Sequence, residues 1–351
     1  MHVTHDAPLA PKTTLGVGGP ARRLVRVTDV GELREALSSA HEAGEPVLVL
    51  GGGSNLVVRD GGWPGLVIEI AIMGVTIRDH GDHAIVSAFA GVVWDDFVAQ
   101  MVEAKLVGIE CLSGIPGLVG ATPMQNVGAY GQEVADTIIT VRVLDRETNQ
   151  VETLDPAACG FGYRTSMFKG SERWIVIEVR FRFARGEQSA PIAYPELARA
   201  LGIEERGRAP LADVRRTVIE LRRGKGMVVD PMDPDSRSAG SFFVNPIVDA
   251  ETLAAFEARL PAGVVAPKFP ASEGKTKLSA GWLIERAGFA KGYVPPGEGR
   301  VGVSKKHALA LVNRSGATTS ELLALAREIQ DGVHARLGIE LHPEPVIVGN
   351  E

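Results

Sequence analysis

Residues 49–58 read VLGGGSNLVV. Three glycines, a serine and an asparagine stand between two apolar runs, and the fold turns on what those glycines do. A dinucleotide-binding fold of the usual kind would place a helix after them. Here Leu56, Val57 and Val58 follow, a largely β-branched run that reads as a strand. Two readings stay open on these residues alone. The stretch is a plain tight turn in a hairpin, or it is a strand–turn–strand nest whose backbone N–H groups cradle a phosphate with no helix dipole behind them.

Working outward, TDVGELREALSSAHEAG (28–44) predicts an amphipathic helix with Val30, Leu33, Leu37 and Ala40 on one face. Asp29 caps its start with Glu32 three residues on, and Gly44 ends it. PVLVL, LVV and LVIEI read as short strands, completing a small α+β unit that ends near residue 75. VTIRD and AIVSAFAG are further strands, and DDFVAQMVEAKLVG (95–108) is a helix with Phe97, Met101, Val102 and Leu106 as its apolar side. Residues 111–136 are glycine-rich without a clear period, and so long a loop inside a compact domain is usually functional. Strands TIITVRVLD, QVETL and WIVIEVRFRF follow. The basic helix DVRRTVIELRRGKG comes next, with Arg215 and Arg216 read as a solvated face. DAETLAAFEARL and SAGWLIERAGF are helices, and HALALVN is a strand. A long helix from Thr318 carries a Thr318–Glu321 capping box, and the chain closes on the strand-like PVIVG.

The composition bounds the function. A chain of 351 residues has room for two or three domains. Its 45% hydrophobic and 23% charged content is that of a soluble globular protein. A net charge of −6 gives no reason to expect nucleic acid as a partner. No apolar run reaches membrane-span length, and MHVTHDAPLAPKTTLG has no apolar h-region. Cys111 and Cys159 have no metal-type spacing; they could pair, but buried reduced thiols in a cytoplasmic protein are the expectation. The eight histidines form no ligand cluster, so no metal is expected.

Five motifs need a joint explanation: LGGGSN (50–55), SGIPGLVGATPMQNVGAYG (113–131), FGYRTS (161–166), AGSFFVNP (239–246) and LHPEPVIVG (341–349). In this order, over nearly the whole chain, they resemble the bacterial UDP-N-acetylenolpyruvoylglucosamine reductases, flavoenzymes of peptidoglycan precursor synthesis. The resemblance implies an α+β fold: a two-subdomain FAD-binding module of the vanillyl-alcohol-oxidase type plus a C-terminal substrate-binding domain. The corresponding bounds are 1–75 and 76–215 for the FAD-binding subdomains, 216–338 for the substrate domain, and 339–351 for a strand returning to the active site.

The same resemblance implies noncovalent FAD, since no histidine lies in either flavin loop, with NADPH as co-substrate. It assigns the cofactor to Gly51, Gly52, Gly53, Ser54 and Asn55 and to Ser113, Ile115, Pro116, Gly117, Gly120, Asn126, Gly128, Ala129 and Gly131. Glycine suits that task because it lets backbone approach phosphate closely and tolerates the positive φ of a nest. Hydride passes from NADPH to FAD and then to C3 of the enolpyruvyl group. Arg164 and Glu344 stabilise the enol that develops, and Ser241 protonates C2. Tyr163, Tyr194, Lys225, Asn245 and His307 are the substrate-side residues, with Tyr194 the clamping tyrosine of one subclass. The tail reads LHPE where relatives often carry LEPE. A cytoplasmic monomer is expected. Two rivals remain: an FAD-dependent alcohol or sugar oxidase on the same fold, and a non-catalytic UDP-sugar binder.

Overall fold

A computed structural model describes residues 2–297 and 299–351. The chain divides into two compact units. The first holds the residues up to Ala7, Ala21–Gly52 and Pro64–Arg223; the second holds Pro8–Pro20, Gly53–Trp63 and Gly224–Glu351. The helices, in chain order, are α1 Val30–Glu42, α2 Trp94–Glu103, α3 Pro156–Cys159, α4 Pro195–Leu201, α5 Leu211–Gly224, α6 Ala250–Ala258, α7 Ala280–Arg286 and α8 Thr319–Leu337. None is long and apolar enough to cross a membrane among the described residues.

The opening stretch is not a hairpin. Strand Val47–Leu50 pairs in parallel with Trp63–Ile70, whereas Leu56–Val58 pairs in parallel with Val346–Val348. The glycines therefore carry the chain out of one sheet and into another. Gly52 closes a segment of the first unit and Gly53 opens one of the second.

In the first unit, α1 covers a four-stranded sheet. Leu33, Ala36 and Ala40 bury against Val25, Leu66 and Ile68, and Asp29 caps the helix by accepting from the Glu32 amide, as its sequence predicts. A second sheet orders Val151–Leu154, Ile138–Asp145, Trp174–Arg185, His83–Phe89 and Val75–Asp79. Trp174–Arg185 alternates only in its second half, where Phe181 and Phe183 are buried and Arg182 is exposed; its first half is buried on both faces. Phe97 of α2 packs against Phe181, the ring centroids 5.2 Å apart and the rings tilted by 36°. Helix α2 is shorter than predicted. Lys105 turns to φ +56, so Leu106 leaves the helix and pairs as strand with Trp174–Arg185. Cys111 and Cys159 are both buried free thiols, and burial pushes each upward, Cys159 to about 11.

In the second unit, α8 starts on the predicted Thr318–Glu321 capping box. Its buried Leu322, Leu325, Ile329 and Val333 join Phe242, Leu283 and Ile284 in one core. The predicted strand at 307–313 is confined to Leu311–Asn313, because residues 307–310 form a turn closed by Ala310 N–H on His307 O.

One buried carboxylate ties the second sheet of the first unit. Asp145 accepts from Arg173 Nε at 3.0 Å and Nη2 at 2.7 Å, from the Glu147 amide and from Thr148. The Arg173 hydrogen bonds hold its carboxyl well below the usual range. A depressed folded value gives stability that is complete above the unfolded pKa of about 3.9 and is lost as pH falls below it. Asp145→Asn is therefore destabilising at pH 7, and its deficit against wild type shrinks between pH 5 and 3. Urea midpoints across that range check this; a constant deficit contradicts it.

Candidate active site

The first turn of α2 grips the glycine-rich loop at three successive points. The Trp94 amide donates to Gly117 O at 3.0 Å, the Trp94 indole donates to Leu112 O at 3.1 Å, and Asp95 Oδ1 accepts from the Gly114 amide at 2.6 Å. The loop continues with Val119 and Gly120 amides donating to Val92 and Ala90 carbonyls. A Cβ on Gly120 would lie 2.5 Å from Ala90 Cβ, and one on Gly52 would lie 2.7 Å from Gly117 Cα. Gly52 and Gly117 thus bring two distant loops into backbone contact. Among the described residues, the amides of Gly51, Gly52, Ile115 and Gly117 donate to no protein group. Backbone donors left over where two glycine loops meet are the set that a dinucleotide's phosphates require. The residues present fit FAD on this count.

The second half of the loop is held differently. Asn126, Tyr130 and Arg164 all sit at positive φ, +46, +50 and +53. Non-glycine residues there cost about 1–2 kcal/mol each, so neighbours must fix them. Asn126 is fixed by its side chain, which donates to Glu133 at 2.7 Å and Gly162 O at 3.2 Å and accepts from the Ala135 amide. Its side chain is thereby committed within the protein. Arg164 is fixed by Nη2 on Gly128 O at 2.8 Å, while its own carbonyl accepts from Lys169. Gly128–Ala129 in turn pairs with Gln132–Glu133. Tyr194 stands at the start of α4, and its ring meets Tyr130 edge-on at 5.3 Å. Tyr163 and Tyr194 are both exposed. Arg164, Tyr194 and the second half of the glycine-rich loop therefore come together within the first unit.

The second unit assembles a separate group. AGSFFVNP and LHPEP run antiparallel: the Val244 amide donates to His342 O and the Glu344 amide to Phe242 O at 2.9 Å. Buried Phe242 and Phe243 fasten this pairing to the core. The segments that carry Ser241 and Glu344 are thus paired. Asn55 accepts the Val346 amide at its carbonyl and donates from Nδ2 to Glu344 O at 3.4 Å, so the end of GGGSN positions the tail. Asn245 Oδ1 accepts from the Ala280 amide at 2.9 Å. His307 Nδ1 accepts from the Leu309 amide, which places the proton of the neutral ring on Nε2. Gly53, at φ +59, has no room for a Cβ beside Lys12 O. Lys225 follows Gly224, which both ends α5 and opens the unit's last segment.

Three residues escaped the sequence reading. Arg215 is not a solvated arginine: it clasps Asp95 through Nη1 at 2.6 Å and Nη2 at 2.9 Å. Only Arg216 matches the solvated reading, with 63% of its side chain exposed. Burial raises the Asp95 carboxyl, but the Arg215 and Gly114 hydrogen bonds outweigh it and hold the group below its usual value. Arg222 is half-buried. Burial pushes its guanidinium down to about 10 against the pull of Tyr130 and Asp95, with Arg164 adding to the depression. The missed signal was spacing, since 211, 215, 218 and 222 fall on one helical face with buried Leu211 and Val218.

These features define a two-unit flavoprotein, with an amide-rich loop cradle in one unit and a serine–carboxylate group in the other. The comparisons agree. An FAD binding domain model matches residues 21–154, and the model for the C-terminal domain of UDP-N-acetylenolpyruvoylglucosamine reductase matches 230–348. The reductase of that name from Thermobifida fusca is 52% identical over 98% of this chain and 97% of its own length. That from Streptomyces avermitilis is 52% identical over 99% and 95%. The crystal structure of the MurB enzyme from Thermus caldophilus superposes with a TM-score of 0.65 at 28% identity, covering 99% of both chains. The chain belongs to the UDP-N-acetylenolpyruvoylglucosamine reductase family. The oxidase and the non-catalytic binder are set aside.

The contact between Gly52 and Gly117 separates two neighbouring glycines. Gly52→Ala forces backbone from backbone, so the protein should purify largely without flavin. Gly51→Ala meets only Leu118 Cδ1, at 3.8 Å, and should keep its flavin. The ratio of absorbance near 450 nm to that at 280 nm reads both; equal flavin content in the two variants contradicts the assignment.

Proposed function

We propose that this protein reduces UDP-N-acetylglucosamine enolpyruvate to UDP-N-acetylmuramate, using NADPH and noncovalently held FAD, in peptidoglycan precursor synthesis. Beyond family membership, one observation carries the reading: the segment bearing Ser241 is paired with the segment bearing Glu344, whose amide donates to Phe242 O. FAD, once bound, would supply the hydride chemistry that links NADPH to C3 of the enolpyruvyl group.

The remaining demands fall on the chain. Charge develops at C2 and spreads into the neighbouring carboxylate. Arg164 meets it with a planar guanidinium that can donate two parallel hydrogen bonds. Glu344 can help only in its protonated form, as a hydrogen-bond donor, because an ionised carboxylate would repel the enolate. Ser241 gives its hydroxyl proton to C2. Serine is a weak acid in water, so the step requires a carbanion more basic than the alkoxide and a site that excludes water. Tyr163, Tyr194, Lys225, Asn245 and His307 serve the UDP-sugar, with Tyr194 closing over it and Lys225 facing its diphosphate. We keep 1–75 and 76–215 as the FAD-binding subdomains, 216–338 as the substrate domain and 339–351 as the active-site strand, in a cytoplasmic monomer.

Ser241→Ala separates the two half-reactions. Bleaching of the flavin by NADPH should be unaffected, since it needs no serine proton. Anaerobic reoxidation by the enolpyruvyl substrate should slow by roughly 10²–10⁴-fold, the usual loss for a general acid. Equal slowing of both phases in stopped flow would mean a packing defect, and normal reoxidation would remove Ser241 from this role. Arg164→Lys should fail to rescue Arg164→Ala, because an ammonium cannot reproduce the paired donors. Near-parental turnover of the lysine variant would sink the carboxylate assignment.

A further inference from the structure

We infer that Asp95 and Arg215 are positioning residues for the flavin: as a clasped pair they fix the 113–117 turn in its FAD-binding shape. This rests on the reading of that loop as an FAD cradle. Neither residue lies in the motifs that carry the family resemblance.

The geometry makes the pair a strut and not a surface ion pair. Asp95 Oδ1 is shared between the Gly114 amide and Arg215 Nη1, both at 2.6 Å, while Oδ2 takes Arg215 Nη2 at 2.9 Å. One carboxylate therefore joins three elements: α2, the loop and α5. Arg215 is 19% and Asp95 33% exposed, so solvent screens the pair less than it screens an open one. Gly114 sits at φ +71 and Gly117 at φ +117, so the intervening turn has little intrinsic preference for this conformation. Asp95 draws the Gly114 amide to itself and leaves those of Ile115 and Gly117 without a protein acceptor among the described residues. The turn is thus sorted into one amide that anchors and two that can face an anion. Arg215 neutralises the carboxylate, whose charge would otherwise stand beside amides meant for phosphate.

The test uses holoenzyme and follows FAD release on dilution by the rise of free-flavin fluorescence. Asp95→Ala removes the anchor and should speed release by roughly ten- to a hundred-fold, the loss expected for a charge-assisted hydrogen bond. Arg215→Gln should speed it less. Arg215→Lys should recover only part, because a point charge cannot clasp both oxygens. The control is Asp145→Asn, which breaks another bidentate Asp–Arg pair of the same unit with Arg173. It should lower the melting temperature while leaving FAD release unchanged. Unchanged release in Asp95→Ala overturns the inference, as does equal acceleration in Asp145→Asn at matched loss of stability. Wild-type protein that carries no flavin would instead overturn the cradle reading itself.

Discussion

The contact between the backbones of Gly52 and Gly117 is the constraint on which the first unit's site depends. A Cβ on Gly52 would stand 2.7 Å from Gly117 Cα, a distance that side-chain motion cannot relieve. The close approach sets two loops, more than sixty residues apart in sequence, against one another, and among the described residues the amides of Gly51, Gly52, Ile115 and Gly117 stay unspent. Helix α2 then fixes the longer loop through Trp94 and Asp95, and α5 braces Asp95 through Arg215. Aromatic packing beneath this, with Phe97 against Phe181, gives the helix a rigid base.

The second unit solves a different problem. Its candidate groups are a weak acid and a carboxyl, which act only if their places are fixed. Two fully buried phenylalanines next to Ser241 anchor the segment, and the tail pairs with it through the Glu344 amide. The parallel pairing of Val346–Val348 with Leu56–Val58 fastens that tail to the strand that leaves the glycine stretch. The stretch at 49–58 thereby contributes to both units, its glycines to the cradle and its asparagine to the position of Glu344.

Backbone strain marks the same region. Asn126, Tyr130 and Arg164 hold positive φ without being glycines. Asn126 meets the cost with three side-chain hydrogen bonds, and Arg164 with its bond to Gly128 O. Such conformations persist where the surroundings over-determine them, and they gather at functional sites.

Local periodicity and capping chemistry were legible in the residues themselves. Asp29 caps α1, Thr318 and Glu321 box the start of α8, and of the face read for α1 Leu33 and Ala40 are buried while Val30 and Leu37 are partly so. The family, and with it the α+β flavoenzyme fold, was legible because short glycine and aromatic motifs recur in fixed order. Pairing was not. That Val47–Leu50 and Leu56–Val58 join different sheets, that Leu106 ends as strand, and that Arg215 clasps Asp95 all depend on partners far away in sequence. A run of residues specifies its own hydrogen-bonding capacity and the face it can bury. Which distant group meets that capacity is settled only when the chain packs, because the energies that decide it belong to pairs.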